Sequence, residues 1–232
     1  MSKKTVMALG MMVLAIGFLS ANVAIAGTVI DQEMTDVWGK KSGLVLYYSK
    51  KRLRIDQKDG KLSTILHFRN DRILILDHTS KSYITYPLSS WQKQVAQKIA
   101  PQQKEHRKRE IRVKSTGVEK TINGFRTTQI RVFLDGDLFQ DSWVTRDVDV
   151  EEMLEAIKKG IGGPSGLSSS EMEEKEEIYE KVKETGFPIL TMEYRQVFGK
   201  TLKDITEVKR IETQKLDPRL FSPPKEYRQR TN

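Results

Sequence analysis

The chain has 232 residues, a formal net charge of +9 and no cysteine. A hydrophobic share of 38% against 31% charged residues is too apolar for a wholly disordered chain and too polar for a multi-span membrane protein. The missing cysteine excludes a disulfide scaffold, a thiol nucleophile, a Cys-ligated zinc or iron–sulfur site, and the lipidated cysteine that begins a mature bacterial lipoprotein.

The first 26 residues read as a signal peptide. Lys3 and Lys4 precede the uncharged run Val6–Leu19, and Ala24-Ile25-Ala26 sets small side chains at −3 and −1 of a cleavage site before Gly27. The alternative is a retained anchor, but the run is shorter than the roughly 20 residues a membrane span needs. Cleavage removes 26 of the 232 residues, leaving 206 and a net charge of +7. That length can bury one substantial core. The expected product is an exported, soluble, periplasmic protein.

From Gly27 the pattern is mainly strand. Gly27–Trp38 alternates loosely. Leu44–Tyr48 is β-branched and aromatic, and Arg52–Asp56 alternates with period two. Asp59-Gly60 predicts a hairpin turn. Leu62–Phe68, Ile73–Leu76 and Ser82–Tyr86 follow as strands separated by Asn70-Asp71 and Thr79–Lys81, an antiparallel meander stopped by Pro87. Ser89 is placed to cap a helix with Trp91, Val95 and Ile99 on one face, ended by Pro101. After a basic hinge, Lys104–Arg109, strands resume at Ile111–Val113, Thr127–Leu134 and Leu138–Thr145, with Asn123-Gly124 and Asp135–Asp137 as turns.

A helical insert spans about 150–185. Met153, Leu154 and Ile157 share a helical face in Val150–Lys159. A Gly/Ser-rich linker occupies 160–170, and Ser170 with Glu173 fits a capping box opening a charged helix over Glu171–Thr185. Gly186 stops it. Two last strands, Phe187–Phe198 and Thr201–Thr213, are joined at Gly199-Lys200, and the tail carries Leu216, Phe221 and Tyr227. The fold class is therefore α+β, a strongly curved antiparallel sheet (an incomplete β-barrel) wrapped around or closed by a few helices, in one domain over 27–232.

Catalytic signatures are absent. His67, His78 and His106 lack metal spacing. Gly163-Pro164-Ser165-Gly166 has Leu167 where a nucleophile elbow needs glycine, and Gly199-Lys200-Thr201 has Tyr194 where a phosphate loop needs its first glycine. The aspartates at 135, 137, 141, 147 and 149 lack the register of a calcium loop. No enzyme activity, catalytic residue, metal or cofactor is expected, and an exported protein is not expected to meet nucleic acid.

Two features do point to partners. Ile73–Leu76 and Val45–Tyr48 are apolar on both faces, so both must be covered. A curved sheet closed by helices can leave an apolar cavity for acyl chains, with Leu46, Tyr48, Leu66, Phe68, Leu74, Leu76, Ile84 and Trp143 as candidate lining; the same side chains can instead fill a dry core. Helices on a Gly/Ser linker could serve as a lid. The basic hinge offers Lys104, Arg107, Lys108 and Arg109 to an anionic membrane surface, and either the hinge or the acidic helix could contact a protein.

The succession Tyr47-Tyr48, Arg52–Asp56, Ile73–Asp77 and Lys81–Tyr83, with Thr121–Phe125, Ser142–Thr145 and Gly186–Ile189 later in the chain, resembles the LolA-like periplasmic lipoprotein-carrier superfamily over about residues 30–225. It is most similar to an exported branch known as a domain of unknown function. The resemblance implies a half-barrel with an internal hydrophobic cavity, and a carrier role for lipids or acylated proteins. An arginine latches the lid in true carriers. Arg52, Arg54, Arg69 and Arg72 are all near the corresponding place, and the charged helix Glu171–Glu184 departs from the carrier pattern.

Overall fold

The computed structural model describes residues 25–99, 108–161 and 169–231. Residues 1–24 of the expected signal peptide, the stop at Pro101, the hinge residues Lys104 and Arg107, His106 and most of the Gly/Ser linker lie outside them.

Among the described residues, twelve strands form one sheet. In chain order they are β1 (Ile25–Thr35), β2 (Lys41–Ser49), β3 (Arg52–Gln57), β4 (Leu62–His67), β5 (Arg72–Asp77), β6 (Ser82–Pro87), β7 (Ile111–Ile122), β8 (Phe125–Leu134), β9 (Asp137–Thr145), β10 (Phe187–Val197), β11 (Lys200–Leu216) and β12 (Arg228–Gln229). Their order across the sheet is β12-β6-β5-β4-β3-β2-β1-β11-β10-β9-β8-β7. All pairings are antiparallel except the short β12–β6 pair. The sheet is long, curved and open, with β12 and β7 at its outer edges. Three helices, α1 (Leu88–Ile99), α2 (Glu151–Ile161) and α3 (Ser169–Lys183), interrupt the strand succession. No helix among the described residues is long and apolar enough to cross a membrane.

The expected elements recur with corrections at their ends. β1 begins at Ile25, paired with Leu216, so two residues assigned to the signal peptide sit in the ladder. A side chain at Gly27 would collide with the Tyr48 carbonyl and with Leu216, so this stretch of β1 must be glycine to lie against its neighbours. Ser89 does not cap α1, which starts one residue earlier. Asp71, between β4 and β5, supplies the cap instead, its carboxylate accepting from the Ser89 amide (2.9 Å) and hydroxyl (2.7 Å). The last hairpin turns at Phe198-Gly199, one residue before the expected position, and Lys200 already belongs to β11.

Both faces of β2–β6 are covered, as their composition demands. On one face Ile30, Leu46, Tyr48, Leu53, Leu66 and Ile73 pack with Leu88 of α1 and Met153 of α2. On the other, Val29, Ile65, Leu74 and Leu76 meet Leu216 and the fully buried Phe221 of the C-terminal tail. The tail is pinned by polar contacts. Arg54 Nη1 donates to the Leu220 carbonyl (2.8 Å), His67 Nε2 donates to the Phe221 carbonyl (2.7 Å), and His78 bridges Ser63 Oγ and the Tyr227 hydroxyl at 2.6 Å each. The Arg52 guanidinium stacks over the Phe221 ring at 5.0 Å.

The far half, β7–β10, is covered on one face. Ile111, Ile130, Val132, Leu134 and Val144 pack under Ile178 and Val182 of α3. The opposite face is polar: the buried Asp141 carboxylate accepts from Arg131 Nε (3.0 Å), Gln129 Nε2 (3.3 Å) and the Tyr194 hydroxyl (3.0 Å).

Candidate binding cleft

The eight expected lining residues do not face one space. Pairing register places Leu46, Tyr48, Leu66 and Ile84 on the helix-covered face, where Phe68 also packs, and Leu74, Leu76 and Trp143 on the opposite one. Leu66 and Leu76 are fully enclosed by neighbouring side chains. Trp143 lies at the polar face of β9, with Lys120 Nζ 3.7 Å from its ring centroid. The middle of the sheet is thus filled by the protein itself. A small hollow of about 110 Å³ remains beside Tyr48 and Met153. There Glu152 accepts from the Tyr48 hydroxyl, whose pKa is pushed up to about 12, by burial first and by that carboxylate second.

The larger apolar space lies elsewhere, where α2 and α3 converge on the ends of β9 and β10. This cleft holds about 310 Å³ and is lined by Val148, Val150 and Leu154 before and along α2, by Tyr179 and Val182 of α3, and by Phe187 and Pro188 of β10. Each element is placed by its local sequence. Val150, just before α2, accepts from the Leu154 amide (3.0 Å), which sets the two residues one turn apart on the same side. Gly186 ends α3 at φ 143°, a backbone conformation open to glycine, with no room for a side chain against the Thr145 carbonyl. That close approach sets Phe187 and Pro188 at the cleft floor. A more polar hollow of about 410 Å³ adjoins it across Arg146, with Glu119, Arg126 and Asp147 among its walls.

Charged groups ring the cleft. Lys183 of α3 reaches Glu151 (2.9 Å) and Glu155 (3.3 Å) of α2, which raise its pKa, and Arg146 Nε donates to the Thr185 carbonyl (3.2 Å). The helix-to-helix link is therefore largely an ion pair in contact with solvent, which screens it. The sequence did not mark this site as a cleft: Leu154 was visible only as part of a helical face, Val182 only as part of the charged helix, and Phe187 and Pro188 only within the Gly186–Ile189 segment that carries the family resemblance.

The hinge residues that the structure describes are not free. Lys108 pairs with Glu177 (3.1 Å), and Arg109 makes a two-pronged bridge to Glu174 (2.7 and 2.5 Å). Lys108 and Arg109 of the basic hinge thus pair with the acidic helix, the two having been read from sequence as alternative contact surfaces. Lys175 of the same helix reaches Glu193 of β10 (3.7 Å).

No curated protein matches the chain. Among solved structures, MucB aligns with 10% identity over 87% of this chain at a TM-score of 0.42, and the Pseudomonas aeruginosa MucA/MucB complex aligns at 12%, 87% and 0.42. The chain spans 58% and 56% of those MucB chains. A DUF1329 family protein from Desulfovibrio piger aligns at 10% identity over 86% of this chain and 90% of its own, with a TM-score of 0.20. At these scores the likenesses define neither fold nor partner. The family assignment is firmer: residues 30–227 match the family described as a domain of unknown function, DUF4412, and the chain belongs to it.

Proposed function

We propose that this protein is an exported, non-enzymatic binding module that holds one apolar group, the acyl chain of a lipid or of an acylated protein, in the cleft beneath α2 and α3. The observation that carries the reading is the cleft itself. At about 310 Å³ it lies at the small end of ligand-sized pockets, with a largely apolar lining that also includes Arg146, Asp149, Glu151, Lys183 and Glu184. The two helices forming its roof are tied to each other by the ion pairs of Lys183 with Glu151 and Glu155. The signal-like N-terminus and the resemblance to LolA-like carriers support export and a lipid ligand. With the centre of the sheet filled by the protein's own side chains, the reading puts the acyl chain at this edge.

Native mass spectrometry and lipid extraction of the purified protein, followed by titration with a fluorescent fatty acid, test it. The protein is expected to carry or take up one acyl chain. L154W, which fills the cleft, is expected to weaken uptake at least tenfold. A protein that takes up no fatty acid, or an L154W variant that binds as well as the parent, would overturn the reading.

A further inference from the structure

Three two-residue hairpin turns have consecutive positive φ angles: Asn123-Gly124 (51° and 86°), Asp135-Gly136 (51° and 95°) and Phe198-Gly199 (50° and 75°). The first two use the residues this turn favours. The third puts a phenylalanine where a bulky side chain is a steric outlier, and leaves that side chain 96% exposed. The turn thus carries both backbone strain and bare apolar surface. Trp38, 72% exposed, sits on the β1–β2 turn at the same end of the sheet.

The Trp38 turn is held by hydrogen bonds, and the two tips lie at different depths. The Asp36 carboxylate accepts from the Trp38 and Lys40 amides (2.9 Å each), and Asp204 of β11 accepts from the Val37 amide (2.9 Å). β1 stops at Thr35 opposite Ile205, whereas the β10–β11 ladder runs on to Val197 opposite Lys200. Phe198 therefore projects roughly 17 Å past the end of the β1–β11 pairing, at about 3.3 Å per residue.

Charge completes the pattern. The carboxylates at this end are engaged internally: Asp36 with its own turn, Asp204 with Arg195 (2.7 Å), and Glu33 with Lys58 and Lys209. Lys40, Lys41, Lys200 and Lys203 are exposed and make no ion pair among the described residues. The surface around the two aromatics is therefore cationic.

We propose that this end of the sheet docks on an anionic phospholipid bilayer, with Phe198 reaching the headgroup–acyl boundary, Trp38 resting at the outer interface, and the four lysines among the headgroups. Tryptophan favours the interface and lysine an anionic surface, so the stagger between the tips matches the depths their side chains prefer. The surface lies at the opposite end of β10 from the cleft and does not depend on a ligand there.

Cosedimentation with vesicles of phosphatidylcholine alone and with about one-third phosphatidylglycerol tests this, on protein purified as the cell processes it and with one N-terminus in every variant. The parent is expected to bind the anionic vesicles, and more weakly as salt rises. F198N installs the favoured turn residue, so it should leave the thermal midpoint equal or higher while binding falls about tenfold. W38S should weaken binding less. Replacing the four lysines by glutamine should abolish the preference for phosphatidylglycerol. L154W should bind vesicles as the parent does, which separates this proposal from the cleft. A parent that ignores anionic vesicles, variants that bind them unchanged, or F198N and W38S acting only by dissolving a dimer seen in gel filtration would each overturn it.

Discussion

The two ends of the sheet solve the same problem differently. Strands β2–β6 are apolar on both faces and are sandwiched between helices and the C-terminal tail, whereas β7–β10 bury one face under α3 and leave the other to a hydrogen-bonded network around Asp141. The sequences differ accordingly. β5 reads Arg-Ile-Leu-Ile-Leu-Asp with no polar interior position, while β8 mixes threonine, glutamine and arginine into its apolar run. A strand with two apolar faces commits the fold to a second cover, and a distant tail supplies it. An alternating strand needs only a helix.

The largest test of that contrast is Phe221→Ala. Phe221 is fully enclosed and centres the tail-side cluster, so its truncation is expected to cost about 3–5 kcal/mol in denaturant unfolding. A loss below about 1 kcal/mol would show that the tail is a passive strap. Asp141→Ala addresses the other half. It strands Tyr194 and Arg131, but the arginine is half in solvent, so about 1–2 kcal/mol is expected. Both measurements are made against the parent's own transition.

The smallest effect is a pH dependence confined to the two-sided half. Burial, helped by the nearby Arg72 and Arg52, lowers the His67 pKa, although its bond to the Phe221 carbonyl pulls the other way. A histidine depressed in the folded state favours folding above its unfolded value of about 6.5, and the advantage is lost as pH falls from there through the lower folded value. The denaturation midpoint should therefore drop between pH 7.5 and 5.5, and H67Q should flatten that drop. Hydrogen exchange of residues 218–230 should rise first. A midpoint that rises on acidification in the parent but not in H67Q would contradict the sign.

Much of this architecture was legible in the residues. The meander followed from Leu44–Tyr48, Arg52–Asp56 and Ile73–Leu76 with their turn signals, because local patterning and turn chemistry agree there. The double-sided strands even announced that a second cover must exist. Which segment supplies it did not follow, since Phe221 and Tyr227 are about 150 residues from the strands they cover and pairing across that distance leaves no local period. The turn at Phe198-Gly199 was misplaced by one residue for a related reason: phenylalanine carries no propensity for that position. The candidate lining residues were apolar as expected, but strand composition alone could not assign Leu46 and Leu74 to opposite faces. The cleft escaped because it is made of element ends, where sequence patterns are weakest.

The adjacency of β1 and β11 has a consequence for how the chain comes into being. Ile25 lies opposite Leu216, and the cover over β3–β5 is made of residues beyond it. As the polypeptide emerges from the ribosome, its first strand has to wait for nearly the whole remainder before the sheet can close on that side. Such non-local pairing is slow, because the loop must be closed before any contact rewards it. The order of synthesis thus delays closure of this side of the sheet until the C-terminal segment has been made.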